Sequence, residues 1–246
     1  MNGSRDDGSA TDSESRLPTS DTQQANGASV RLITARILGL VGIVLYNWWI
    51  WVLVATNLLT DTDEFFSDLE ATGRPDATLF QHFDLAAGFV LLVALLLRGP
   101  WGPKGKRKEW RWFLLFAVAS AVGGHYSYAC PEGLSPACRN AEWHLQLPSH
   151  HYVHVVSGIV EFAAMTIAVY LAWKRTREDS GWVARSVKAT AVTMLIGYPL
   201  LAVAYLTDNF GAVVEPIFFV CFSVMVAVEQ LEPRRRPMES KATPVS

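Results

Sequence analysis

The sequence predicts an all-α polytopic membrane protein with six transmembrane helices and both termini in the cytoplasm. Half of its 246 residues are hydrophobic and only 18% are charged, against a quarter or so in ordinary soluble domains. The apolar residues gather into six blocks near the length that crosses a bilayer: Leu32 to Leu59, Leu79 to Leu97, Trp112 to Tyr128, His150 to Trp173, Val183 to Leu206 and Val213 to Leu231. Of 21 Lys and Arg residues, all but Arg74 and Arg139 lie before or in the first turns of block one, in or beside the connections two–three and four–five, or after block six. Cytoplasmic loops collect such residues, so those segments are expected inside.

Taken in order, residues 1–30 are rich in Ser, Thr, Asp, Gly and Gln with almost nothing large to bury, and read as a disordered cytoplasmic tail. They lack the basic start and short apolar core of a signal peptide. Residues 31–232 form the membrane domain, and 233–246 a second polar tail. Block one holds "NWWIW", in which Asn47 falls near the bilayer midplane and is expected to hydrogen-bond a neighbouring helix. Block two stops at "RGPWGP". Pro148 followed by Ser149 reads as a stop and an N-cap for block four. Pro199 is expected to kink block five. The connections 60–78, 129–149 and 207–212 are expected outside, and in or beside them Asp61, Asp63, Glu64, Asp68, Glu70, Asp76, Glu132, Glu142, Asp208 and Glu215 would make an acidic face.

Cys130 and Cys138 flank "PEGLSPA" in one of those outer connections. Disulfides persist outside the cytoplasm, and the separation is longer than usual zinc-site spacing, so a bridge is expected. Cys221, inside block six, reads as a small packing residue.

The stretch "SHHYVHVVSGIVE", residues 149 to 161, raises the question of chemistry. At about 100° per residue, His150, His154, Ser157 and Glu161 share one stripe of a helix. Such a stripe faces protein or water, not lipid. His150 and His154, four apart, can approach one metal ion from a single face, with His125 as a third ligand and zinc as the ion such a set would take. Asp84 is a candidate base or fourth ligand. His82 projects from the opposite side of its helix and is not counted with it. Glu161, near mid-membrane, is a candidate proton carrier, or a neutral acid bonded to another helix, through Asn47 for instance. The bland alternative for the histidines is a structural polar cluster. No dinucleotide fingerprint, phosphate loop or serine elbow occurs. The basic runs are explained by orientation and anionic lipid, so nucleic acid is not an expected partner. Membrane lipids are, and the sequence names no protein partner.

Two segments, "FFSDLEATGRPDATLFQHFDLAAG" (65–88) and "CPEGLSPACRNAEWHLQLPSHHYVHVVSG" (130–158), together with the six-block plan, resemble the bacterial membrane family called domain of unknown function 998. The resemblance covers most of 32–231 and implies an integral membrane protein of six helices, without implying an activity. A fainter likeness, of chemistry alone, is to membrane hydrolases such as alkaline ceramidases, which hold zinc with Ser, Asp and three His. Here Ser67, Asp84, His125, His150 and His154 would supply those groups.

The favoured expectation is therefore a non-catalytic plasma-membrane protein that acts through lipids or a partner. A metal-dependent hydrolase of lipid or amide bonds at the outer leaflet is the first alternative, and a proton-coupled carrier using Glu161 the second.

Overall fold

The structure, a computed structural model, describes residues 20–50, 52, 64–100, 104–207 and 209–232. The expected tails at 1–19 and 233–246, the end of the first block at 53–59, and Asp61, Asp63 and Asp208 lie outside the described residues. Among those residues all regular structure is helical: α1 Ser20–Tyr46, a 3₁₀ turn Phe66–Glu70, α2 Ala77–Arg98, α3 Lys104–His125, α4 Pro136–Trp143, α5 Ser149–Thr176, α6 Trp182–Thr207 and α7 Gly211–Leu231. The first eleven residues of α1, 20–30, thus belong to the segment expected as a tail.

Local chemistry accounts for most of the boundaries. α1 ends where the Asn47 side chain bonds back to the Ile43 carbonyl (2.7 Å), competing with the backbone ladder. A tighter Trp48-to-Leu45 bond follows. α2 stops at Gly99, whose φ of 70° suits glycine, ahead of Pro100. Ser135 caps α4 by accepting from the Cys138 N–H, with Pro136 in the first turn. At α5 the expected cap moves by one residue: Pro148 holds the cap position in extended conformation and Ser149 is already helical. α6 stays helical through Pro199.

The six long helices form a closed ring in which each packs on its neighbour in sequence and α7 returns to α1. α4 sits across one end, tied down by the Cys130–Cys138 disulfide. The core is a column of Leu91, Phe113, Phe116, Met165, Phe218 and Phe222, all at most 1% exposed. Large apolar side chains point outward as well, among them Ile37, Phe89, Ile159, Leu195 and Leu206, a surface suited to lipid and not to water.

Among the described residues five helices are long and apolar enough to cross a membrane: Ser29–Tyr46 of α1, α2, α5, α6 and α7. This is one fewer than the six expected. α3 is of equal length, but its opening turns carry Lys104, Lys106, Arg107, Lys108, Glu109 and Arg111, which lower its mean hydropathy. The chain is a multi-pass membrane protein on the strength of the other five.

At the end away from the disulfide, Arg175 of α5 forks between Glu109 of α3 (2.6 Å) and Glu232 after α7 (2.8 Å). Arg98 of α2 donates to the Glu232 carbonyl (2.7 Å) and lies 3.8 Å from Glu229. Arg36 of α1 donates to the Gln230 carbonyl (3.3 Å). One charged network thus joins five of the six ring helices at this rim.

At the other end α2 and α3 meet backbone to backbone. A Cβ added to Gly88 would lie 2.3 Å from the Ala121 nitrogen, and one on Gly124 would lie 2.2 Å from the Leu85 nitrogen. Small residues of this kind set helix approach in membranes. Gly88→Ala is therefore expected to destabilise the protein by about 1 to 3 kcal/mol or more. Gly158→Ala, on a helix with nothing within 4 Å, is expected to be neutral or stabilising by up to about 1 kcal/mol. Thermal unfolding in detergent checks both, and equal losses would contradict the packing. Cys138→Ser is expected to cost roughly 2 to 3 kcal/mol by releasing a short closed loop, read as a lower melting temperature without reductant.

Candidate functional site

The ring encloses a cavity of about 520 Å³ beneath α4 and the disulfide loop. Six carboxyl side chains line it: Glu132 of the disulfide loop and Glu142 of α4 from the lid and, below them, four from four elements, Glu70 of the 3₁₀ turn, Asp84 of α2, Glu161 of α5 and Glu215 of α7. Three of these four accept from neutral donors. The Trp48 indole N–H donates to Asp84 Oδ1 (2.6 Å), the Tyr46 hydroxyl to Glu161 Oε1 (2.8 Å) and the Phe66 N–H to Glu215 Oε2 (2.5 Å). The fourth, Glu70, is 2% exposed; its Oε2 meets no N–H or hydroxyl of the protein, and its side chain is hydrogen-bonded to Asp84. Its carboxyl stands beside that of Asp84, and burial followed by that neighbour's charge pushes the Glu70 carboxyl well above its usual range. Among the described residues none of the four forms an ion pair, and no Lys or Arg lines the cavity.

Aromatic side chains fill much of the remaining wall. Tyr46, Trp48, Tyr128, Tyr198 and Phe219 all line it, with Trp48 stacked on Phe80 behind it (4.5 Å between centroids) and Tyr46 edge-on to Phe219 (5.5 Å).

The histidine stripe divides. His154 is buried and lines the cavity. Its Nδ1 lies 3.0 Å from the Gly123 carbonyl and 2.6 Å from that of Tyr126. Carbonyls only accept, so Nδ1 carries the proton and Nε2 is left as an acceptor. Ser157 is buried and donates back to the His154 carbonyl (2.7 Å). His150 is half-buried, His125 is exposed on the edge of Tyr126, and His82 is exposed with Nδ1 2.5 Å from the Thr78 carbonyl. The fully buried partner is His151 instead. It accepts the Ala129 N–H at Nδ1 (3.2 Å) and so presents Nε2–H to Glu142 (3.0 Å). Among the described residues no three His, Cys, Asp or Glu are arranged to hold a metal ion. Asp84 and Ser67 do share the cavity, with Ser67 beside Glu215. Asn47 donates to Ser223 Oγ of α7 (2.6 Å), and the partner of Glu161 is its neighbour Tyr46.

The lid is also acidic. Asp68 accepts from the Gly133 N–H (3.1 Å) and the Phe65 N–H (3.4 Å), which fastens the disulfide loop to the 3₁₀ turn. Glu132 is 3.7 Å from Arg139, whose guanidinium donates to the Tyr205 carbonyl and covers the Tyr205 ring at 5.1 Å. Burial and the neighbouring Glu142 carboxyl push Glu132 up to about 7.

Residues 40–229 match the model of one protein family, described as a protein of unknown function (DUF998). The chain belongs to that family. No curated protein and no solved structure matches it. The DUF998 match takes in all six cavity carboxyls, His154 and both bridged cysteines. Of the cavity groups, sequence reasoning singled out Asp84, Ser67, Glu161 and His154. It placed Glu70 and Glu215 on an outer acidic face, although "FFSDLE" and "VVEPIFF" each set an acid against apolar neighbours, and that was the available signal.

Burial pushes Asp68 up to about 6, outweighing the two N–H donors that pull it down. The folded protein therefore holds this proton more tightly than the unfolded chain. The associated stabilisation is complete below about pH 4 and is lost as the pH rises through the folded value. Relative to Asp68→Asn, the wild type is expected to lose up to about 3 kcal/mol between about pH 4 and 7. Parallel melting curves against pH for the two proteins would contradict this.

Proposed function

We propose that this DUF998 protein is a non-catalytic plasma-membrane protein of six spans, both termini cytoplasmic, whose cavity is a binding chamber for a cation reached from the outer face. The observation that carries the reading is the set of four carboxyls on four elements, none in an ion pair, in a cavity that no Lys or Arg among the described residues lines. A buried carboxylate is stable only if it is protonated, hydrogen-bonded or paired. A cavity large enough for a ligand and lined this way favours positive charge over anions.

The span count and orientation rest on charge and length. α3 has 22 residues, about 33 Å at 1.5 Å each, enough to cross once its basic first turns sit among headgroups. That puts Gly105 and the Arg175 network inside, with the disulfide and Gly73 outside. The hydrolase alternative would need His125, His150 and His154 to converge, and the exposed His125 lends it no support. A carrier cycle is compatible with the chamber, with Tyr46, Glu70, Asp84, Tyr128, Glu132, Glu142, His154, Glu161, Tyr198, Tyr205 and Glu215 as the groups available to exchange protons.

Thiol labelling tests both parts. Gly73→Cys is expected to react with an impermeant reagent in intact cells, and Gly105→Cys only after permeabilisation; the reverse pattern contradicts the orientation. Glu161→Cys is expected to react from outside at least about tenfold faster with a cationic methanethiosulfonate than with an anionic one of similar size. Equal rates, or access from the inside alone, would overturn the cation chamber.

A further inference from the structure

Three kinds of positive charge could answer the four carboxyls: protons, a metal ion or an organic ammonium. Protons need neither a cavity of about 520 Å³ nor an aromatic wall. A hard metal ion needs several oxygens converging at about 2.0 to 2.6 Å, and the described residues hold no such group of three. An organic cation uses all of what is present. Its charge meets the carboxyls, its apolar body meets Trp48, Tyr128 and Phe219, and the same aromatic rings add cation–π attraction.

Glu70 provides a second observation. It lines the cavity, is 2% exposed, and its Oε2 meets no N–H or hydroxyl of the protein; its side chain is hydrogen-bonded to the Asp84 carboxyl, with which it shares a proton. The other three carboxyls have N–H or O–H donors from the protein itself. Two buried acids with one proton between them keep a negative charge, and a ligand N–H can take the place of the shared proton, which a quaternary ammonium cannot.

We propose that the chamber binds a primary to tertiary organic ammonium ion of small aryl-alkyl type, with one ammonium N–H donated to Glu70 Oε2, the charge shared with Asp84 and Glu161, and the apolar body held among Trp48, Tyr128 and Phe219. The proposal rests on the chamber reading above and specifies its ligand class. Binding is non-covalent, and any carboxyl proton displaced by the cation leaves to solvent.

The test is calorimetric titration of the full-length protein in detergent with four probes: phenethylammonium, its N,N,N-trimethyl analogue, neutral 3-phenylpropanol and calcium ion. Phenethylammonium is expected to bind at least about tenfold more tightly than the trimethyl analogue and more tightly still than the alcohol. Calcium is expected not to compete. Glu70→Gln, with its melting temperature checked, is expected to weaken phenethylammonium at least about tenfold and to narrow its advantage over the trimethyl analogue. The probe series uses the wild type, so a variant that fails to fold does not decide the outcome. Equal affinity for the alcohol, preference for the trimethyl ion, or competition by calcium would each overturn the proposal. No binding of any probe, with charge-selective thiol access intact, would overturn the ligand class and leave the chamber standing.

Discussion

Direct contact between the α2 and α3 backbones at Gly88 and Gly124 is the constraint on which the rest of this structure depends. Without side chains at these points, the Gly124 turn lies against the backbone of Asp84 and Leu85. Asp84 is thereby held at the depth where the Trp48 indole reaches it. The adjacent Gly123 offers its carbonyl to His154, which locks the first turns of α5 onto the same contact. One wall of the cavity is therefore a consequence of two missing methyl groups. Larger residues there would push α3 outward and take His154 with it.

Several features were legible in the sequence because their causes are local. Apolar runs, Gly and Pro stops and the short Cys130–Cys138 interval each depend on neighbours along the chain, and they located the helices and the bridge. The stripe on α5 was legible in part: His154 and Ser157 are buried as helical geometry requires, but His151 takes the fully buried place instead of His150. Helical periodicity gives a face about a third of a turn wide. Which edge of that face is covered depends on where α4 and Glu142 come to rest, and nothing local records that.

The convergence of Glu70, Asp84, Glu161 and Glu215 was not legible for the same reason. Each comes from a different element, and ring closure between α7 and α1 joins segments nearly the whole chain apart. The sequence counted α3 as a span by its apolar stretch from Trp112 onward, but the folded helix begins eight residues earlier and takes in a charged first segment, which leaves it outside the five helices apolar enough to cross. The equation of an acid in a loop with an acid facing water failed at Glu70 and Glu215 because both lie at element ends that turn inward under the lid.

The Arg175 fork has a mechanical side. It clamps α3, α5 and the end of α7 at a single rim, while the opposite rim is held by a small cap fastened through the Asp68 hydrogen bonds and Arg139. Helices pinned at one end behave as levers. A tilt of about 5° about that pin moves the far tip of a helix about 33 Å long by about 3 Å, the width of a water molecule. The two rims are thus held by different chemistry, ion pairs at one and a disulfide-closed, hydrogen-bonded cap at the other, so that loosening the cap would open the cavity while leaving the first rim joined.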